Sequence, residues 1–539
     1  MPTLVFEKKE LLKLVGKNLN NEELEEIINS LKPNVEQINE KEIEIEFTTD
    51  RVDYLAIEGL ARAIRSYLGL KNPELKIQKP KITLIKENVP IRPYIACAIV
   101  RNISLDESII KSLINLQEVL HENYGRKRKK VAIGLHDLDK IKGTIKYVGG
   151  NREDKFIPLE ETNEMSLIEV LAKTEKGKKY GHLILDANNW PVFIDDLGIF
   201  SFPPILNSER TKITEKTKNI FIDVTGTEKN AVNNVLNLLS MVFIERGATV
   251  EAVKIKGEKE EITPQFLEKA IEITKEDVEK ILGISLTEKE IQKLLERMDY
   301  KVVVSKGRLI VIVKPYRFDV ISKLDIIEDV AISLGYNNFE PQLPNVFTKG
   351  EIHRVEKLCN DVREILIGFG FQEIVKPILT NSKTQFEKMN IEKQDTIKIL
   401  NPVSELYTEL RYWLLPDLLD FLSKNTKERY PQKIFEIGDV VLKDEKSELG
   451  AVNFRKVCGA IADNGSFFAE TKTILLEINK ILGGEISFEE TTHPSFIVGR
   501  VSKVIKNGKE IGIFGEINPL VLQNFKVYMP VSVFEIFLE

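Results

Sequence analysis

Between residues 322 and 335 the apolar and polar positions separate cleanly. At roughly 100° per residue, Ile326, Ile327, Val330, Ala331 and Leu334 share one side of a helix, while Asp325, Glu328 and Asp329 share the other. Ser322 followed by Asp325 has capping-box spacing, so the pattern predicts a helix to about Leu334, closed by Gly335. Pro315 ends the β-rich run before it, and Asp319 falls in the connecting loop. Elsewhere the period changes. Ile95–Val100 is a near-continuous apolar run that reads as a buried strand, and a helix is predicted from Asp106 to about Tyr124. In Phe221-Ile-Asp223-Val-Thr225-Gly226-Thr227, period two puts Asp223 and Thr225 on one face of a strand.

The pattern also repeats. Gly16 and Leu19 correspond to Gly283 and Leu286, and Glu23, Leu24, Ile27, Ile28 and Leu31 to Glu290, Ile291, Leu294, Leu295 and Met298. After a one-residue slip, Arg51, Asp53, Leu68 and Gly69 match Arg317, Asp319, Leu334 and Gly335. One small module is therefore expected twice. Its paired helices have a helix-turn-helix-like layout, but Glu22, Glu23, Glu25 and Glu26 give the first copy the wrong charge for a recognition helix. A packed structural module fits better. Asn72-Pro73 and Lys79-Pro80 read as a linker, and Pro341-Gln-Leu-Pro344 as a boundary. The expected architecture is an α+β multidomain chain: a first module over 1–85, an α/β domain over 86–268, the second module over 269–340, and a further domain over 345–539.

Composition narrows the function classes. The 539 residues are 42% hydrophobic and 30% charged, as expected for a soluble globular protein of three or four domains. A net charge of −6 argues against a general polyanion coat, so any nucleic acid would need a local basic patch or a partner chain. The three cysteines form no CxxC and the five histidines no HExxH, so no zinc ribbon, disulfide framework or metalloprotease site is legible. No apolar run of about 18 residues appears and the N-terminus is not signal-like, so the expectation is a cytoplasmic protein without a membrane partner.

Three stretches carry candidate chemistry. The first is the acidic set Asp319, Asp325, Glu328 and Asp329. An acidic helix face is ordinarily just solvated, yet the first copy holds Gly59, Arg62 and Ala63 where the second holds Asp325, Glu328 and Asp329. The module tolerates losing those acids, which points to a task in the second copy; Asp319, whose counterpart Asp53 persists, is equally explained by a cap or an arginine partner. The second is Ile199-Phe-Ser201-Phe-Pro203-Pro204-Ile-Leu-Asn207-Ser208, a stiff segment that cannot join a central ladder; a polar pair such as Asp223 and Thr225 is ordinarily a satisfied structural hydrogen bond, but beside this loop it is a pocket candidate. The third is Arg126-Lys-Arg-Lys-Lys130, which serves either a phosphate backbone or only a solvated turn; the sequence leaves both open.

Taken in order, these motifs resemble the β subunit of phenylalanyl-tRNA synthetase in its archaeal/eukaryotic form, along essentially the full length. Gly370-Phe371…Ile374…Pro377 is similar to class II synthetase motif 1, Phe435–Asp439 to part of motif 2, and the strand around Gly515-Glu516 takes the place of motif 3. After Arg455 the only arginine is Arg500, and no GxxxxGK[ST] loop exists. The resemblance therefore implies a C-terminal antiparallel-sheet domain of class II type without the arginines that grip ATP phosphates. Phenylalanine activation with ATP would fall to a separate α subunit in an (αβ)₂ heterotetramer acting on tRNA(Phe). The middle segment would be an editing domain that hydrolyses mischarged Tyr-tRNA, with Ser201, Pro203, Pro204, Asn207, Asp223 and Thr225 lining its pocket. Asp319, Asp325, Glu328 and Asp329 would form a magnesium site shared with the α subunit, some of them acting through water. The alternative is a non-enzymatic tRNA-binding scaffold with a degenerate synthetase fold.

Overall fold

The computed structural model describes residues 2–305 and 307–538. The chain divides into two compact units, Met1–Leu343 and Pro344–Glu539.

In the first unit, residues 3–67 run strand, helix, helix, strand, strand, helix: Thr3–Glu7, Lys8–Val15, Asn21–Ser30, Asn34–Ile38, Glu42–Glu46 and Ile57–Tyr67. The same order recurs as Lys269–Thr274, Lys275–Leu282, Glu288–Glu296, Lys301–Ser305, Arg308–Val313 and Lys323–Leu334. In each set the third strand lies between the other two. Gly16 (φ 73°) and Gly283 (φ 70°) end the first helix of their sets in the left-handed conformation, which only glycine adopts without strain. The shared element order explains why the sequence aligns with itself. The opening strand Thr3–Glu7 escaped the periodicity because it is short and half-exposed.

Residues between the two sets build a ten-stranded sheet. Its successive strands are Leu206–Asn207, Gly198–Phe202, Trp190–Asp195, Lys146–Gly150, Ile77–Lys86, Thr249–Lys256, Tyr94–Arg101, Ile220–Gly226 and Val131–Asp137, with Glu260–Thr263 beside Thr249–Lys256. All pairs are antiparallel except those of Ile77–Lys86, which runs parallel to both neighbours. Lys79-Pro80, expected in a linker, lies inside that strand. Its partner breaks register between Glu251 and Val253, so the proline, which has no N–H, falls where the ladder is interrupted. The helix Lys229–Glu245 is buried almost throughout from Val235 onward and packs against the sheet, with Asn230, Asn233, Asn234 and Asn237 forming a polar stripe along its first half.

The second unit holds a seven-stranded sheet in the order Gln372–Glu373, Gln432–Lys443, Ala451–Ala462, Val531–Phe537, Lys509–Ile517, Phe496–Lys506 and Ile486–Glu490, antiparallel after the first pair. Period two sends Val457 and Ile461 to the face covered by the helices Arg354–Gly368 and Phe468–Leu482. Cys458, Ala460 and Ala462 go to the face covered by Leu415–Lys424 and Pro519–Phe525. Among the described residues no helix is long and apolar enough to cross a membrane.

Candidate active site and comparisons with known proteins

The ten-stranded sheet curls until its ends meet. Asn207, on one end strand, donates its amide to the Leu135 carbonyl of the other (3.4 Å), and Ser201 Oγ lies 3.4 Å from Asp223 Oδ2. Where the ends meet, a cavity of about 240 Å³ opens under the helix Glu107–Glu122. Ser201, Pro203, Pro204, Asn207 and Asp223 all line it. The Pro203–Pro204 bond is cis. Ile110, Leu113 and Ile133 supply apolar wall. Since a cavity of about 150 Å³ holds benzene, there is room for one aromatic side chain.

Asp223 reaches the cavity because of its neighbours in register. It stands opposite Cys97 on one side and Gly134 on the other. A Cβ at Gly134 would lie 2.1 Å from Asp223 Oδ2 and 2.8 Å from His136 Nε2, so glycine is what allows the carboxylate to lean onto the imidazole. That contact is 2.7 Å, and His136 Nδ1 lies 2.9 Å from Thr211 Oγ1. An ionised Asp223 requires the proton on Nε2, which leaves Nδ1 to accept from the Thr211 hydroxyl. Phe200 meets the imidazole edge-on with centroids 5.0 Å apart. The histidine is thus tied up by Asp223 and Thr211 rather than by Ser201.

Thr225, expected in the lining, stands outside it. Its Oγ1 accepts from Arg92 Nε (3.1 Å) and its carbonyl from Arg92 Nη2 (2.6 Å). Arg92 is fully buried, and burial lowers its guanidinium to about 10. Period two correctly put both side chains on one face, but Arg92, far away in sequence, covers the second of them.

The opposite end of the cavity is polar. His121 Nε2 accepts the Ile133 N–H (2.8 Å), so its proton sits on Nδ1, which has no hydrogen-bond partner among the described residues. Burial pushes this imidazole down to about 4, so it is neutral. Glu118 is held at about 2 by the His121 Nδ1–H, 3.7 Å from its Oε1 and so longer than a hydrogen bond, and by the Arg128 guanidinium, which donates to it at 2.7 Å. Arg128 also donates to the carbonyls of Pro204 (3.1 Å) and Ile205 (2.7 Å), fixing the proline wall. Gly134, His136, His121 and Arg128 were missed as site residues. Gly134-x-His136 within an apolar strand offered the same period-two signal that exposed Asp223. His121 and Arg128 offered none.

The acidic set is distributed differently from the expectation. Asp325 completes the predicted capping box, accepting from Ser322 N at 2.7 Å and Ile321 N at 2.9 Å. Asp329 is buried and accepts from the Tyr300 hydroxyl and the Arg317 guanidinium, each at 2.6 Å. Asp319 takes the same guanidinium (2.8 Å); burial favours its neutral form, but Arg317 outweighs burial and holds the carboxyl below its usual range. Arg51 and Asp53 make the equivalent pair at 2.8 Å in the first set, which explains why that aspartate recurs. Glu328 is exposed and pairs with Lys32 (2.8 Å). Among the described residues no three carboxylates, histidines or cysteines converge as a metal would need. The donor set therefore does not fit magnesium within this chain alone. Asp329 and Asp319 are neutralised by Arg317, and Asp325 has one oxygen committed to the cap.

In the second unit the arginines near the motif-like strands are occupied. Arg411, buried, donates to Glu436 (2.6 Å) and the Asp439 carbonyl (2.8 Å), Arg455 pairs with Asp439 (2.6 Å), and Arg500 with Glu516 (2.5 Å).

A curled, mostly antiparallel sheet with a polar-ended cavity, a small module present twice and a second sheet unit make a multidomain α+β chain, and the comparisons give its family. Family models described as "B3/4 domain", "tRNA synthetase B5 domain" and "Phenylalanyl tRNA synthetase beta chain CLM domain" match residues 98–257, 271–336 and 340–538. The phenylalanine–tRNA ligase β subunit of Pyrococcus furiosus is 40% identical, with 100% of this chain and 99% of that protein aligned; that of Methanocaldococcus jannaschii is 41% identical, with 100% of each aligned. A crystal structure of an N-terminal fragment of the phenylalanyl-tRNA synthetase β subunit from Pyrococcus horikoshii superposes with a TM-score of 0.60 at 37% identity, covering 62% of this chain and 99% of the fragment. The chain belongs to the phenylalanine–tRNA ligase β-subunit family.

Proposed function

We propose that this chain joins a catalytic α subunit in an (αβ)₂ phenylalanine–tRNA ligase and itself removes tyrosine misattached to tRNA(Phe). The observation that carries this reading is Asp223, a carboxylate set by His136 and Gly134 in a cavity of aromatic size with apolar walls from Ile110, Leu113 and Ile133. A phenylalanine site rejects an added hydroxyl by only about 10²-fold, so tyrosine leaks through. A cavity built to hydrogen-bond the phenol discriminates by roughly 10⁴-fold or more, because phenylalanine lacks the hydroxyl that the site is built to bind. Asp223 accepts a hydrogen bond from the phenol O–H; the proline wall fixed by Arg128 holds the ring.

Hydrolysis then needs an attacking oxygen. Ser201 has no imidazole on it, since His136 bonds Asp223 and Thr211. Water is therefore the nucleophile. Its oxygen adds to the ester carbonyl, the bond to the ribose oxygen breaks, and that oxygen takes up a proton, releasing tyrosine and an intact RNA end. ATP-dependent activation lies with the α subunit, in keeping with the occupied arginines of the second unit. Any magnesium at the acidic helix would have to draw on the α subunit as well, with Glu328 and the free oxygen of Asp325 as this chain's share.

The test uses the αβ assembly. Asp223→Ala should leave charging with phenylalanine intact and abolish deacylation of Tyr-tRNA(Phe). Deacylation at the wild-type rate would remove the pocket assignment and favour a scaffold role.

A further inference from the structure

Of the basic run 126–130, Arg126, Lys127 and Lys129 have no part in the hydrolytic site described above, and the backbone that carries them is unusual. Arg126, Lys127 and Arg128 have φ of 49°, 53° and 64°, three consecutive side-chain-bearing residues in the left-handed region. The turn is closed by Lys127 N–H to the Glu122 carbonyl (3.3 Å), Arg128 N–H to the His121 carbonyl (3.1 Å) and Lys130 N–H to the Gly125 carbonyl (2.8 Å). Two buried guanidiniums tie it down. Arg128 points inward to the Pro204 and Ile205 carbonyls of the cavity wall. Arg92 donates to the carbonyls of Arg128 (3.1 Å) and Lys129 (3.3 Å) while holding Thr225, two residues along the strand from Asp223. The turn is thus fixed to both the wall and the floor strand of the cavity.

Between these anchors Arg126, Lys127 and Lys129 face solvent, and none is ion-paired among the described residues. The nearby carboxylates are taken by other cations: Glu118 by Arg128, Glu122 by Lys179, Glu228 by Lys130. Lys176 adds a further cation in the cavity lining. In a chain of net charge −6, this is a local positive field held rigidly beside the cavity.

We propose that this turn docks the phosphate backbone of the RNA whose 3′-terminal ester enters the Asp223 cavity. The inference rests on the hydrolytic reading above, and two substrates separate the fates of the two. Tyr-tRNA carries phosphates; the tyrosyl ester of adenosine carries none. In the αβ assembly, the triple variant Arg126→Gln, Lys127→Gln, Lys129→Gln should raise KM for Tyr-tRNA about tenfold. It should also flatten the slope of log(kcat/KM) against log salt by about 2, three cations at roughly 0.7 each for a single strand. The adenosine ester should change by less than about twofold. Lys129→Glu, outside the left-handed residues, should move KM in the same direction. An unchanged KM and salt slope for Tyr-tRNA, or an equal loss on both esters, overturns the docking role. Wild-type protein inert toward both esters overturns the hydrolytic reading and this inference with it.

Discussion

A methyl group at Gly134 would sit 2.1 Å from Asp223 Oδ2, so this glycine decides where the carboxylate points. Gly134→Ala should push Asp223 off His136 and cost about 10²-fold in Tyr-tRNA deacylation, the scale of an ångström-level misplacement. Circular dichroism should stay unchanged, because the strand Val131–Asp137 keeps its ladder to Ile220–Gly226. Preserved deacylation would show that the Asp223–His136 contact is dispensable. Part of this site was legible: a polar pair in an apolar strand beside a stiff proline segment marked Asp223, Pro203 and Pro204, and the family resemblance added Ser201 and Asn207. Thr225 was misplaced and His121 missed for one reason. Which buried polar atom faces a cavity depends on partners such as Arg92 and Glu118, and periodicity carries no information about them.

Among the elements, the helix Lys323–Leu334 followed its local signals closely, with the cap at Ser322, the turn at Gly335 and the apolar face where the wheel put it. Ser322→Ala should cost about 1 kcal/mol of unfolding free energy, read by denaturant titration, by removing an acceptor for the Leu324 N–H. The acidic face stood out in the sequence, but its partners Arg317, Tyr300 and Lys32 did not, since they arrive from other elements. The helix Leu415–Lys424 has a different cap: Glu535, from a sheet strand, accepts the N–H groups of Leu414 (3.0 Å) and Leu415 (2.9 Å). Asp417 in its first turn is buried, and burial lifts its carboxyl to about 7 despite Arg411 3.7 Å away. The folded state therefore binds a proton that the unfolded chain releases near pH 4. The associated stability is fully present below that pH and is lost as pH rises through about 7. Asp417→Asn, which mimics the protonated form, should flatten the fall in the second unit's melting temperature between pH 5 and 8. At pH 8 it should gain on the order of 2 kcal/mol over wild type. A parallel fall in both proteins would place the titration elsewhere.

For the whole molecule, the question is whether one chain is enough. The second unit carries Val375, Leu400, Val403 and Leu406 exposed on its surface, Leu400 at 98%. Leu400, Val403 and Leu406 fall in one short stretch, and exposed apolar side chains grouped in this way suit a surface that a partner covers. Its arginines are spent on Glu436, Asp439 and Glu516, so no guanidinium pair stands ready for nucleotide phosphates at those strands. Both features fit a chain that braces a catalytic partner. The chain alone should attach phenylalanine to tRNA no faster than background, and adding the α subunit should restore charging. Leu400→Asp with Val403→Asp, which places charge where the partner is expected to bury apolar surface, should weaken assembly about tenfold or more by sedimentation. Deacylation per assembled complex should be retained, because the Asp223 cavity lies wholly in the first unit. If the isolated chain charges phenylalanine unaided, the division of labour between two polypeptides is wrong, and the ion-paired arginines of the second unit must exchange their carboxylates for ATP phosphates.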